Sequence, residues 1–307
     1  MTDNRKKVFE DLVEQAKNIK EPKRVVLAGA DNENMVKGLF MAADAGFVKP
    51  ILVGKEPRVQ EMVERLGFQD REYELHSVYD NANVVQYSIE MIEAGHADIL
   101  LRGNTQTRDF LMPILNPRNH LVRDDCILTQ INIMALPEYS RLLAISDVTL
   151  LITPSMEQKK KVVQNMVRVL NAIGIQKPNI AMLSLVEKPS FHMKDTVEAQ
   201  TIVKQHMEEP IADCNLVGPI SFDLIISKEA ARLKNYNCPY CGEFDGIVVP
   251  SLIAGNLLVK DWYVNLHATG CGIIAGAKVP IAITGRSEPP ENTYLSLAAC
   301  VSIHEND

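Results

Sequence analysis

The chain has 307 residues, 46% of them hydrophobic and 23% charged, enough apolar material for two α/β domains with ordinary cores. A net charge of −7 and an isoelectric point near 5.6 exclude a dedicated nucleic-acid binder, whose affinity rests on clustered Lys and Arg. The charges in MTDNRKKVFEDLVEQAKNIK break the apolar core a secretory signal requires, and no run approaches the roughly 18 to 20 apolar residues of a membrane-crossing helix. A cytoplasmic protein with neither membrane nor nucleic acid as partner is expected.

In chain order, RVVLAGA at 24–30 reads as a buried strand, Asp31 as an N-cap, and NENMVKGLFMAADAG as a helix ending at Gly46. KPILVG and EPRVQEMVERLGF repeat this unit. YELHSVYD, the helix NVVQYSIEMIEAG, the strand DILLRG at 98–103 and a helix around RDFLMPILN extend it. The second half runs through RLLAISDVTLLITP, the helix MEQKKKVVQNMVRVLNAIG, the strand NIAMLSL, the helix TVEAQTIVKQHM, then VGPISFDLIIS and a further helix. DGIVVP at 245–250 reads as a strand, followed by a helix starting near Gly255 and Asn256. The Gly-rich TGCGIIAGAK, the strand PIAITG and a helix around ENTYLSLAACVSI close the chain. Such alternation predicts mainly parallel sheets.

Ligands of open α/β sheets collect at the carboxyl ends of strands, which directs attention to four loops. They are Arg102-Gly-Asn-Thr, Pro250 to Asn256, Gly270-Cys-Gly272, and Gly285-Arg286-Ser287. Each pairs a Gly, which lets backbone N–H groups approach a ligand, with Arg, Asn, Ser or Thr donors, a combination suited to an oxyanion. Gly270 to Ala275 matches the loose dinucleotide fingerprint but lies late in the chain, and packing accounts for its glycines better. Six scattered cysteines read as reduced thiols. Cys238-Pro-Tyr-Cys241 lacks the second ligand pair that a closed zinc site needs, so no metal is expected.

The segments ADILLRGNTQTRDFL, SDVTLLITPSMEQKK, VEKPSFHMKDTVEA, VGPISFDLIIS, DGIVVPSLIAGNLLVK and GIIAGAKVPIAITGR, together spanning roughly residues 24 to 304, resemble the phosphate acetyl/butyryl transferase family, nearer its butyryl branch. The resemblance implies two α/β domains with mainly parallel sheets and an interdomain cleft, of isocitrate/isopropylmalate dehydrogenase-like architecture. The first domain would be residues 1–130 plus 276–307 and the second 131–275. A homo-oligomer is implied. So is reversible transfer of a short acyl chain between coenzyme A and inorganic phosphate, without metal or covalent enzyme intermediate, the coenzyme A thioester being a substrate and no further cofactor being needed.

Carried over residue by residue, the resemblance makes Arg286 the leading catalytic cation, with Gly285 and Ser287 beside it. Arg102, Gly103 and Thr107 would bind substrate, as would Gly255 and Asn256 at a helix N-terminus. Glu291 is the candidate base for the coenzyme A thiol. Asp147, Glu187 and Asp223 are read as structural hydrogen-bonding groups. The chain departs from its relatives at Gly285, where they carry Ser, and at Met112, where many carry Arg. It also offers Glu288, Glu291 and Asn292 in a region where acetyltransferase-like members have an aspartate. Two other classes share parts of this pattern. One is a non-catalytic protein that binds acyl-CoA or acyl phosphate, and the other a metal- and NAD(P)-dependent decarboxylating dehydrogenase, whose acidic ligand cluster the sequence does not offer.

Overall fold

The computed structural model describes residues 9–80 and 83–306, so the charged first eight residues used above against a secretory signal lie outside the described chain. Two compact units form. One comprises Glu10–Leu128 and the stretch beginning at Gly270, and the other is built on Thr129–Thr269.

The first unit opens with α1 (Glu10–Lys17), β1 (Lys23–Ala28), α2 (Glu33–Asp44), β2 (Val48–Gly54), α3 (Glu56–Arg65), β3 (Glu74–Ser77), α4 (Val84–Glu93), β4 (Ile99–Arg102) and α5 (Thr107–Leu115). Val25 to Ala28 and Ile99 to Leu101 are fully buried, as expected of parallel strands covered on both faces. The N-cap of α2 is Asn32 rather than Asp31; its side chain accepts the Met35 N–H at 3.1 Å. Gly29 and Ala30 still donate to the Val53 carbonyl, which carries the strand path past Ala28 to the end of the 24–30 stretch read from the sequence.

The second unit contains β5 (Thr129–Ala135), β6 (Leu142–Ser146), α6 (Met156–Ala172), β7 (Asn179–Leu183), α7 (Lys194–Glu208), β8 (Asn215–Ile220), α8 (Phe222–Ile226), α9 (Lys228–Leu233), β9 (Gly246–Val248) and α10 (Leu252–Val264). Its strands run in the order β5-β6-β9-β7-β8, parallel except that β5 opposes β6. The sequence pattern misses β5 because Thr129, Gln130 and Asn132 interrupt its apolar run. They are buried nonetheless, since Asn165 bonds Thr129 at 3.0 Å and Gln130 bonds Asn132 at 2.8 Å. VGPISFDLIIS divides at Ser221 into the end of β8 and the short α8.

The helix expected near Gly255 begins three residues earlier, because Ser251 caps it by accepting the Ala254 N–H. Gly255 therefore spends its N–H on the Ser251 carbonyl at 3.2 Å, and Asn256 donates its side-chain amide to the Val148 carbonyl at 3.1 Å. Both residues seat α10 on the loop after β6 and neither presents an orphan N–H to a ligand. Asp147 in that loop is 2% exposed and accepts the N–H groups of Gln130, Thr149 and Leu150 at 2.9, 2.6 and 2.7 Å. Burial pushes its carboxyl above the ordinary range while these bonds oppose the shift. Glu187 and Asp223 share Ser221 and Lys234 in a second structural cluster.

The chain returns to the first unit with β10 (Thr269–Ala275), β11 (Ile281–Ala282) and α11 (Pro290–Asn306). That unit's order is β3-β2-β1-β4-β11-β10, parallel apart from the β10–β11 pair. The segment read as a Gly-rich loop is the buried strand β10. Its glycine N–H groups point to α11, Gly270 donating to Asn292 Oδ1 at 3.3 Å and Gly272 to Ser296 Oγ at 3.0 Å. The apparent dinucleotide fingerprint is thus a packing surface.

A methyl group at Gly255 would lie 2.8 Å from the Asp147 carbonyl oxygen, a backbone atom that cannot move alone. Gly255→Ala should lower unfolding stability by about 1–3 kcal/mol, measured by urea denaturation.

Candidate functional site

Strand β4 lies between β1 and β11 and runs parallel to both, which gathers three strand ends and the loops that follow them. The loop after β4 is tied to the end of β1: Gly103 donates to the Ala28 carbonyl at 3.0 Å and Asn104 to the Gly29 carbonyl at 2.8 Å. A methyl group at Gly103 would fall 2.1 Å from the Gly29 oxygen, so glycine is obligatory there. Its contribution is to the path of the loop.

That path holds Arg102 with only 6% of its surface exposed. Its Nη2 donates to the Thr105 carbonyl at 2.7 Å, while its Nε and the Thr105 hydroxyl are buried with no hydrogen-bond partner among the described residues. No Arg102 ion pair with a carboxylate occurs among those residues either. Burial pulls the Arg102 guanidinium below its ordinary pKa, the neighbouring Arg286 adds to that shift, and Glu288 opposes it. A buried cation facing a second cation, with donor capacity to spare, is costly unless an anion completes it.

The loop after β11 is held by its backbone. Glu288 N–H closes a turn onto the Gly285 carbonyl at 3.0 Å, Asn32 donates to the Arg286 carbonyl at 3.1 Å, and Asn34 to the Glu288 carbonyl at 2.9 Å. Behind it, the Thr284 and Thr293 hydroxyls meet at 3.2 Å. Anchoring through carbonyls leaves the side chains of Arg286 and Ser287 exposed. Two guanidinium groups, one buried and fixed and one exposed, carry the forked donors that suit a multiply charged oxyanion.

Of the residues singled out in the sequence, Arg102, Gly103, Gly285, Arg286 and Ser287 gather at these adjoining strand ends. Thr107 opens α5 and Glu291 lies exposed on the first turn of α11, both a short way beyond the two loops. Gly255 and Asn256 belong to the other unit. Met112 is exposed on α5. The carboxylate that acts on Arg102 is Glu288, which sequence reasoning passed over in favour of Glu291. Its signal was its place three residues after Gly285, where a side chain can return to its own turn. In the second unit, Cys241 hydrogen-bonds Cys238, and burial with this neighbour raises its thiol to about 12. Among the described residues no group of three His, Cys, Asp or Glu side chains is arranged to hold a metal ion.

Residues 72–299 match the family described as Phosphate acetyl/butaryl transferase. A probable phosphate butyryltransferase of Bacillus subtilis is 28% identical over 97% of this chain and 98% of its own length. The crystal structure of a branched-chain phosphotransacylase from Enterococcus faecalis superposes with a TM-score of 0.82 at 26% identity, covering 93% of this chain and all of that one. A 4-hydroxythreonine-4-phosphate dehydrogenase from Klebsiella pneumoniae, 10% identical with a TM-score of 0.56, covers 92% of this chain and all of its own, a likeness of fold alone.

Arg102→Met removes a buried charge while nearly keeping side-chain length. The ligand-free variant should melt no lower than the wild type, and phosphate should raise the Tm of the wild type but not that of the variant. That rise corresponds to about 2.7 kcal/mol at a hundredfold excess over Kd, and scanning calorimetry with and without phosphate measures it.

Proposed function

The chain belongs to the phosphate acetyl/butyryl transferase family, and we propose that it moves a short, butyryl-like acyl group reversibly between coenzyme A and inorganic phosphate. The observation that carries this reading is Arg102: a guanidinium 6% exposed, with an unpartnered Nε, beside Arg286. Phosphate supplies the charge and the several acceptor oxygens that this pair lacks.

In the forward direction a phosphate oxygen forms a bond to the thioester carbonyl carbon. The carbon–sulfur bond breaks, and the proton that phosphate gives up ends on the departing thiol. No covalent bond to the protein and no metal is required. Arg102 fixes the phosphate, and Arg286 supports the charge that builds on the carbonyl and phosphate oxygens in the transition state. Gly103 keeps the Arg102 loop in place, and Ser287 and Thr107 offer hydroxyls at the mouth of the two loops. We assign to Glu291, the exposed carboxylate at the start of α11, the removal of the thiol proton in the reverse reaction. The thiol, with a pKa of about 8.5, is mostly protonated at neutral pH and needs such help.

Phosphate-dependent release of coenzyme A thiol from a panel of acyl-CoAs tests this. Turnover should be highest with four-carbon chains, and Arg286→Ala should lower it at least about 100-fold, the size of a lost oxyanion donor. A folded protein with no turnover on any acyl-CoA would contradict the reading.

A further inference from the structure

Each oxygen of the Glu288 carboxylate accepts a hydrogen bond. Oε1 accepts the Gly285 N–H at 2.8 Å and Oε2 accepts Asn292 Nδ2 at 3.0 Å. The orientation of Asn292 is set in turn, because its Oδ1 takes the Gly270 N–H at 3.3 Å from strand β10. Asn292 is 1% exposed, so water does not offer it another partner. A single polar chain therefore runs from the backbone of β10 through the first turn of α11 to the backbone beside Arg286.

The direction of every donor in this chain is determined. Gly270 and Gly285 contribute backbone N–H groups, which can only donate, and Asn292 has a single oxygen that Gly270 occupies. The group at position 288 must accept twice, and a carboxylate is the side chain that does so. The glycine at 285 fits the same logic. A methyl group there would lie 2.6 Å from Glu288 Oε1, so a side chain at 285 and this seat for the carboxylate compete for one space.

We propose that Glu288 is a positioning residue for oxyanion binding, its carboxylate acting as a double acceptor that sets the Gly285–Glu288 turn and thereby the placement of Arg286 against Arg102. The inference rests on the phosphate-binding reading above. The same carboxylate also offsets part of the repulsion between the two arginines before the anion arrives.

The test is a reciprocal exchange of acceptor and donor. In Glu288→Gln one oxygen becomes an amide that confronts the Asn292 amide, two donors face to face. In the double variant Glu288→Gln/Asn292→Asp every hydrogen bond is restored, with the carboxylate moved to position 292. Phosphate affinity by titration calorimetry and steady-state KM for phosphate and for acyl-CoA are measured for wild type, single and double variants. The single variant should weaken phosphate binding and raise KM for phosphate about 10-fold, as expected when a buried group is left unsatisfied, and should lower kcat as well because Arg286 also supports the transition state, with KM for acyl-CoA changed less than about 2-fold. The double variant should recover most of the loss.

Unchanged phosphate affinity in Glu288→Gln overturns the proposal, as does a double variant no better than the single. Losses shared by both substrates and tracking a fall in Tm also overturn it, since they would mark a merely structural role. Phosphate binding without turnover in the wild type would sink the transferase reading and leave the positioning role to be judged on affinity alone. A wild type that neither binds phosphate nor turns over would overturn both.

Discussion

Parallel pairing of β4 with β1 on one side and with β11 on the other is the constraint from which the candidate site follows. Parallel strands end on the same side, so the loops after them are forced into company whatever their sequences. The hydrogen bonds from Gly103 and Asn104 to the end of β1 then hold the Arg102 loop beneath the surface, and those from Asn32 and Asn34 hold the Arg286 loop from α2. Arg102 cannot withdraw to solvent without breaking this frame. Its burial beside Arg286 is a standing electrostatic cost that the fold maintains.

Helix α11 links this site to the core. It is buried along most of its length, which leaves its polar residues to find partners inside the protein. Ser296 takes the Gly272 N–H, Thr293 meets Thr284, and Asn292 joins Gly270 to Glu288. Interior polar groups of one helix thus fix both the strand they cover and the turn that carries Arg286. The second unit uses a comparable device without a candidate ligand. There Asp147 gathers backbone N–H groups and Gly255 allows α10 to approach within contact of the same loop.

The alternation of apolar strands and amphipathic helices, the parallel sheets and the loops that carry Arg102 and Arg286 were legible from local sequence alone, because burial imposes a period that can be read within a dozen residues. The family resemblance, too, was legible in segments spread over most of the chain. Four features were not. Strand β5 hides behind polar residues whose partners lie on α6 and within the strand, the Gly-rich β10 looks like a loop until α11 covers it, α10 starts at a cap upstream of its glycine, and Glu288 draws its role from Asn292 and Gly285. Sequence determined which stretches are buried and which loops carry Arg102 and Arg286. The tertiary structure alone decided which carboxylate and which N–H groups they meet, since hydrogen bonds such as those from Asn32 to Arg286 and from Gly270 to Asn292 join residues that no local pattern relates.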